Sequence, residues 1–244
     1  MHRGRFWAAG LALAAGFALL YAGSSSAATV TLGNANDGSY FDDVFGSDIM
    51  LVNVELPDAT VPSSPVNGTV ISWMVNDPQG KFSIAVLHKE ADGDYTNRHT
   101  SDTAKLNSLG AVSPPQPSQL GIRKGDFVAI NVSANAHIGV GAGGMDTSIS
   151  PPIPSGQTAT PNPYNPYHAG YSAVVRYCVV PDVTGRRIRR AKKMLRGADC
   201  TVGEITRPRH HRRKAKFVKR QSIAPALSVS DRTPIDLALG KKSH

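Results

Sequence analysis

Between residues 29 and 177 apolar positions come in short runs: VTL (30–32), IMLVNVEL (49–56), TVISWMV (69–75), KFSIAVLH (81–88), DFVAINV (126–132), HIGVG (137–141) and YSAVVRY (171–177). Gly, Pro, Asn and Asp clusters divide them, the punctuation expected between strands. Several runs alternate. Phe82, Ile84 and Val86 stand against Ser83 and Ala85, and Val128, Ile130 and Val132 against Ala129 and Asn131, the period of a sheet with one buried face. Asp92-Gly93 predicts a tight hairpin, and Asn67-Gly68 a turn leading into the strand of Trp73. Helical spacing is nearly absent. Seven or more strands in about 150 residues predict an all-β domain, a two-sheet sandwich of jelly-roll type. The stretch 148–171 carries six prolines and reads as a long ordered loop or extended edge, because a strand follows it.

The pattern changes at residue 178. Ile188, Ala191 and Leu195 fall at i, i+3 and i+7, which predicts a helix over 186–196 with one narrow apolar stripe. Arg186, Arg189, Arg190 and Lys193 lie off that stripe. Gly197 is the expected helix stop, entering the left-handed conformation at least cost. Strands are predicted over 201–206, 216–222 and 235–239. The chain is therefore expected to be mainly β: a leader over 1–28, a sandwich over 29–177, and a small α+β module over 178–244 with one helix on a three-stranded sheet.

The order of pieces in that module, with Val180, Pro181, Asp182 and Gly185 at its start, then RRIRRAKKML, CTVGEIT, KAKFVKRQSIAP and the strand around Ile235, Leu237 and Leu239, resembles a PASTA repeat. Such repeats are extracytoplasmic bacterial modules of penicillin-binding proteins and receptor Ser/Thr kinases, associated with peptidoglycan and its fragments. The resemblance covers about 65 residues and implies a non-catalytic envelope module that binds peptidoglycan or other anionic wall material. The chain departs from the pattern in its last turn: PASTA repeats usually have Gly after their Pro, whereas Pro225 is followed here by Ala226.

The only two cysteines, Cys178 and Cys200, bracket the predicted helix. A disulfide between them would constrain the unfolded state of a module too small to bury much apolar surface, by roughly 3 kcal/mol for a loop of 23 residues, and it requires an oxidising compartment. A zinc site with His210 and His211 is the alternative, but it lacks a Cys-x-x-Cys pair and its histidines are adjacent; free buried thiols are a third. The leader fits export. Arg3 and Arg5 precede an apolar run from Phe6 to Tyr21, and SSSAA at 24–28 offers a signal-peptidase site after Ala27 or Ala28. The run is shorter than the ~20 residues of a spanning helix. Secretion, with no membrane span after cleavage and possible association with the wall, is the expected localisation.

Charge separates the two parts. Residues 29–177 hold 7 Lys/Arg against 13 Asp/Glu, net −6, and residues 178–244 hold 18 against 5, net +13. The densest cluster, RPRHHRRKAKFVKR at 207–220, makes Arg207, Arg209, His210, Arg212, Arg213 and Lys214 the candidate contacts for a polyanion such as a teichoic-type polymer or stem-peptide carboxylates. Nucleic acid is disfavoured as a partner, because the cluster offers only Phe217 for base stacking and export removes the chain from cytoplasmic DNA and RNA. A merely solvated charge run is the plainest alternative. In the sandwich, Tyr164, Tyr167, His168 and Tyr171 are candidates for an aromatic platform that would take a carbohydrate.

Other chemistry is expected to be absent. GVGAGG at 139–144 matches a dinucleotide fingerprint, but the residues after it cannot open a helix, so it reads as a loop. Neither DGDYTN at 92–97 nor the group Asn34, Asn36, Asp37, Asp42 and Asp43 has the spacing of a calcium loop, and no metal or cofactor is expected. No Gly-x-Ser-x-Gly elbow occurs. His88, His99 and His137 read as ordinary surface histidines. The chain is read as non-enzymatic; a secreted wall-polymer hydrolase with its site in the sandwich, and a passive spacer or assembly module, are the alternatives.

Overall fold

The computed structural model describes residues 28–36, 40–57, 60–208 and 215–241; residues 1–27 of the proposed leader, the cluster at 209–214 and the last three residues lie outside that set. In chain order the strands are β1 (Ala28–Gly33), β2 (Tyr40–Val44), β3 (Ile49–Glu55), β4 (Gly68–Val75), β5 (Gln79–Lys89), β6 (Tyr95–Thr100), β7 (Ala104–Asn107), β8 (Gln116–Ile122), β9 (Phe127–Val132), β10 (His137–Ile149), β11 (Thr158–Ala159), β12 (Asn165–Ala169) and β13 (Tyr171–Val179). After α1 (Ile188–Gly197), the one helix among the described residues, come β14 (Thr201–Thr206), β15 (Phe217–Gln221), β16 (Ser228–Ser230) and β17 (Pro234–Gly240). The protein is mainly β, as the alternation predicts.

The first thirteen strands form two sheets consistent with a sandwich. One has the order β1-β13-β4-β8; the other runs β11-β6-β5-β9-β3-β10-β12, with β2 added on β10 and β7 on β5. Inward residues of both meet in one core, in which Trp73, Val75 and Tyr171 of the first sheet pack with Phe82, Ile84, Ile130 and Ile138 of the second. Tyr171 also ties the sheets by hydrogen bonds, its hydroxyl donating to the Val128 carbonyl at 2.7 Å and accepting from the Asn53 amide at 3.2 Å.

Two expectations change here. Clean alternation along β5 and β9 predicts one wet face, yet Ala85 and Ala129 are as buried as the residues beside them. They join Met50, Val52, Leu87, Tyr95, Ile149 and Ile153 in a second core on the outer face of the larger sheet. The proline-rich stretch covers that face, and its short strands β11 and β12 form the two edges of the sheet. The glycine run is not a loop either: it lies inside β10, where the pairing with β12 shifts between Ala142 and Asp146. Its composition has a steric cause. A Cβ on Gly141 would collide with the ring of His168, one on Gly144 would meet both that ring and the Glu55 carbonyl, and Gly143 sits at φ +85° in the bulge.

The carboxyl-terminal lobe places α1 against a three-stranded sheet of order β14-β17-β15, with β14 parallel to β17 and β15 antiparallel. Ala191 and Leu195 are fully buried beneath the helix, in a cluster with Val180, Val183, Val218, Ile235 and Leu237. The start of α1 has no side-chain cap and no acid in its first turn. Backbone pairing replaces them: the Gly185 amide donates to the Val218 carbonyl, the Val218 amide to Arg186 and the Ile188 amide to Lys216. The stop also differs from expectation. Gly197 is the last helical residue, and Asp199 takes the left-handed turn at φ 52°; the Cys200 amide then closes the end on the Leu195 carbonyl.

The two lobes share a strand. β13 runs past the start of β4, and its last residues, Tyr177 to Val179, pair with β16 from beyond the helix. Asp231 follows β16 and accepts the Thr69 hydroxyl at 2.6 Å on one oxygen and both Nε and Nη2 of Arg176, at 2.9 and 2.7 Å, on the other.

Candidate functional site

Cys178 and Cys200 form a disulfide with Cα atoms 5.1 Å apart. Both sulfurs are committed to it, which removes the zinc and free-thiol readings. The bridge joins the end of β13 to the residue after the helix turn, so it fixes both ends of the segment that carries α1.

What α1 presents outward is cationic. Arg186, Arg187, Arg189, Arg190, Lys193 and Arg196 are all exposed. Among the described residues, none of Arg189, Arg190, Lys193 or Arg196 has an ion-pair partner. Arg187 lies over the Phe217 ring at 5.8 Å, and Asp182, held below the usual carboxylate range chiefly by the Thr184 hydroxyl and amide, has Arg186 nearby. Arg207, just beyond β14, is exposed too. Arg209, His210, Arg212, Arg213 and Lys214 lie outside the described residues. The densest cationic cluster of the sequence, 207–220, lies outside this helix. The signal for the helix face was nonetheless present, in the absence of any acid between Arg186 and Arg196.

In the sandwich the four aromatic candidates divide. Tyr164 and Tyr167 are exposed, at 55% and 42%, whereas His168 and Tyr171 are buried. β12 points Tyr167 outward and His168 inward, as strand alternation requires, and Tyr171 belongs to the inter-sheet core. A platform of four rings is thereby excluded, leaving two. Trp73 is likewise interior.

One acid of the sandwich behaves abnormally. Burial pushes the Asp146 carboxyl up to about 6; the Asn165 amide, 3.0 Å away, pulls the other way and the charge of Asp43 adds to the rise. Asp146 is only 4% exposed. The folded state keeps this proton at pH values where an unfolded Asp, at 3.8, has lost it. The associated stability is thus fully present below pH 3.8 and is lost as pH rises through about 6. Two units of separation correspond to about 3 kcal/mol. Asp146→Asn, which keeps an acceptor for Asn165, is expected to exceed the parent in stability by about 2 to 3 kcal/mol at pH 8 and by nothing at pH 3.5. Urea unfolding at the two pH values measures this, and equal differences at both would contradict it.

Compared with family models, with curated proteins and with solved structures, the chain matches none. No helix among the described residues is long and apolar enough to cross a membrane.

Proposed function

We propose that this is an exported, non-catalytic envelope protein whose carboxyl-terminal lobe, a PASTA-like module, binds peptidoglycan or another anionic wall polymer. The observation that carries the reading is the charge at the start of α1. Arg189 and Arg190 stand at the positive end of the helix dipole with no acid in the first turn, and each such cation costs about 0.3–1 kcal/mol. Arg189 with Lys193 and Lys192 with Arg196 add like-charge neighbours at i, i+4 within α1. Charge placed against the helix's own stability is accounted for by an anionic partner that relieves it. Two further features support the module. The disulfide suits an oxidising compartment. Ala226 holds φ 65° while its amide donates to the Val180 carbonyl; this is the backbone region where glycine is the ordinary residue, and it falls where the PASTA pattern has Gly. Arg207 and the cluster that follows it would extend the same contact, and the exposed Tyr164 and Tyr167 leave a place for carbohydrate on the sandwich.

Retention of the whole mature chain on purified peptidoglycan across a salt series tests this. Binding is expected at low salt and should weaken steeply as ionic strength rises. A variant with Arg189, Arg190, Lys193 and Arg196 all changed to Ser should elute at least at severalfold lower salt. Failure of the parent to bind at low salt sinks the proposal, and release of soluble fragments from the polymer would replace it with the hydrolase reading.

A further inference from the structure

A groove of about 830 Å³ lies where β6 and the end of β8 face β16 and the turn after it, and a smaller cavity of about 400 Å³ adjoins it through His99 and Gly121. Such volumes suit a small ligand or a short segment of polymer. Although the sandwich is acidic overall, no Asp or Glu lines either cavity; the charged side chains there are Arg98, Arg123 and Arg232, with His99 beside them.

Two of these cations are held in place. Arg98 stands 3.3 Å from the fully buried Asp126, which also takes the His88 ring at 3.0 Å and the Arg123 backbone amide at 2.9 Å. Asp126 therefore acts as a positioning residue, fixing a guanidinium and the start of the turn after β8. Arg232 crosses from the carboxyl-terminal lobe to donate to Gln119 on β8; Gln119 is neutral, and the nearby carboxylate acting on Arg232 is that of Asp231, which does not line the groove. Arg123 is exposed with no ion-pair partner among the described residues.

The remaining lining is built for hydroxyl groups. Thr100 and Ser155 present exposed hydroxyls on the smaller cavity. Ser230 and Thr233 add hydroxyls from the other lobe.

We propose that this groove is a second binding site, independent of the helix face, for a hydroxylated anion: a carboxylate- or phosphate-bearing saccharide or polyol segment whose hydroxyls meet Thr100 and Ser230 while Arg98, Arg123 and Arg232 take its charge. Because both lobes supply its walls, it exists only when they are docked.

Calorimetric titration of the whole mature chain with trigalacturonate, with a glycerol-phosphate trimer and with maltotriose tests it. At least one of the two anions is expected to bind, the arm that responds naming its source, and maltotriose is expected to bind at least about tenfold more weakly. Arg123→Ser combined with Arg232→Ser should weaken the anion by about tenfold or more, with unchanged far-UV circular dichroism. Amide exchange at Thr100 and Ser230 should slow when the anion is added to the parent protein. The helix-face variant should bind these small anions normally, which separates failure of the groove from failure of wall binding. Absence of binding by both anions, equal binding of maltotriose, or an undiminished double variant overturns the proposal.

Discussion

Replacing both Cys178 and Cys200 with Ala is expected to destabilise the carboxyl-terminal lobe by roughly 3 kcal/mol, since the bridge closes a loop of 23 residues in the unfolded chain. The lobe's own core has few large side chains, the buried ones being mostly Val, Ala, Ile and Leu around the two sulfurs, so that loss is a large share of what holds it. The effect should be local. Hydrogen exchange is expected to accelerate across α1, β14 and β17, while β5, β9 and β3, which lie in separate cores, keep their protection. Loss of protection spread evenly through the larger sheet would show that the bridge stabilises the whole chain and not one lobe.

The second large effect is expected at Asp231. Asp231→Ala removes the acceptor of Thr69 and Arg176 together, leaving a guanidinium that is 35% exposed and partly recoverable by water. Its cost should be about 3 kcal/mol, the low end for breaking such a pair. Burial by itself would raise this carboxyl, but the Thr69 hydroxyl and Arg176 override it and hold it below its ordinary 3.8. Its contribution is therefore present above pH 3.8 and is lost as acid takes the pH through the depressed value. Acid should loosen the pairing of β16 with β13 before the sandwich core unfolds, and Asp231→Ala should reproduce that loosening at neutral pH. Exchange rates at Tyr177, Cys178 and Val179 report it; rates in the variant equal to the parent's would mean that the strand pairing alone docks the lobes. In that variant the groove between the lobes should also lose its small anions, although Asp231 does not line it.

Much of the secondary structure was legible in the sequence. The seven apolar runs coincide with β1, β3, β4, β5, β9, the first part of β10 and β13, and the i, i+3, i+7 stripe with α1. These are the elements whose burial writes a strong period into their own residues. β6 (YTNRHT), β7 (AKLN) and β16 (SVS) escaped, because edge or short strands are held by backbone pairing with neighbours and need few apolar residues of their own. β8 was hidden by its prolines and glutamines. The second core escaped for a related reason: Ala85 and Ala129 look neutral in sequence and become core only when Ile149 and Ile153 fold over them.

The cationic character of the last quarter, the pairing of its two cysteines and the β-rich character of the rest were set by residue type and local spacing, which act within a few positions along the chain. Tertiary structure alone decided that β13 serves both lobes, that Tyr171 lies inside and Tyr164 outside, and that Arg98, Arg123 and Arg232 converge on one groove. Those residues are 25 to 134 positions apart, and whether they meet depends on strand register and sheet order, which no local period records.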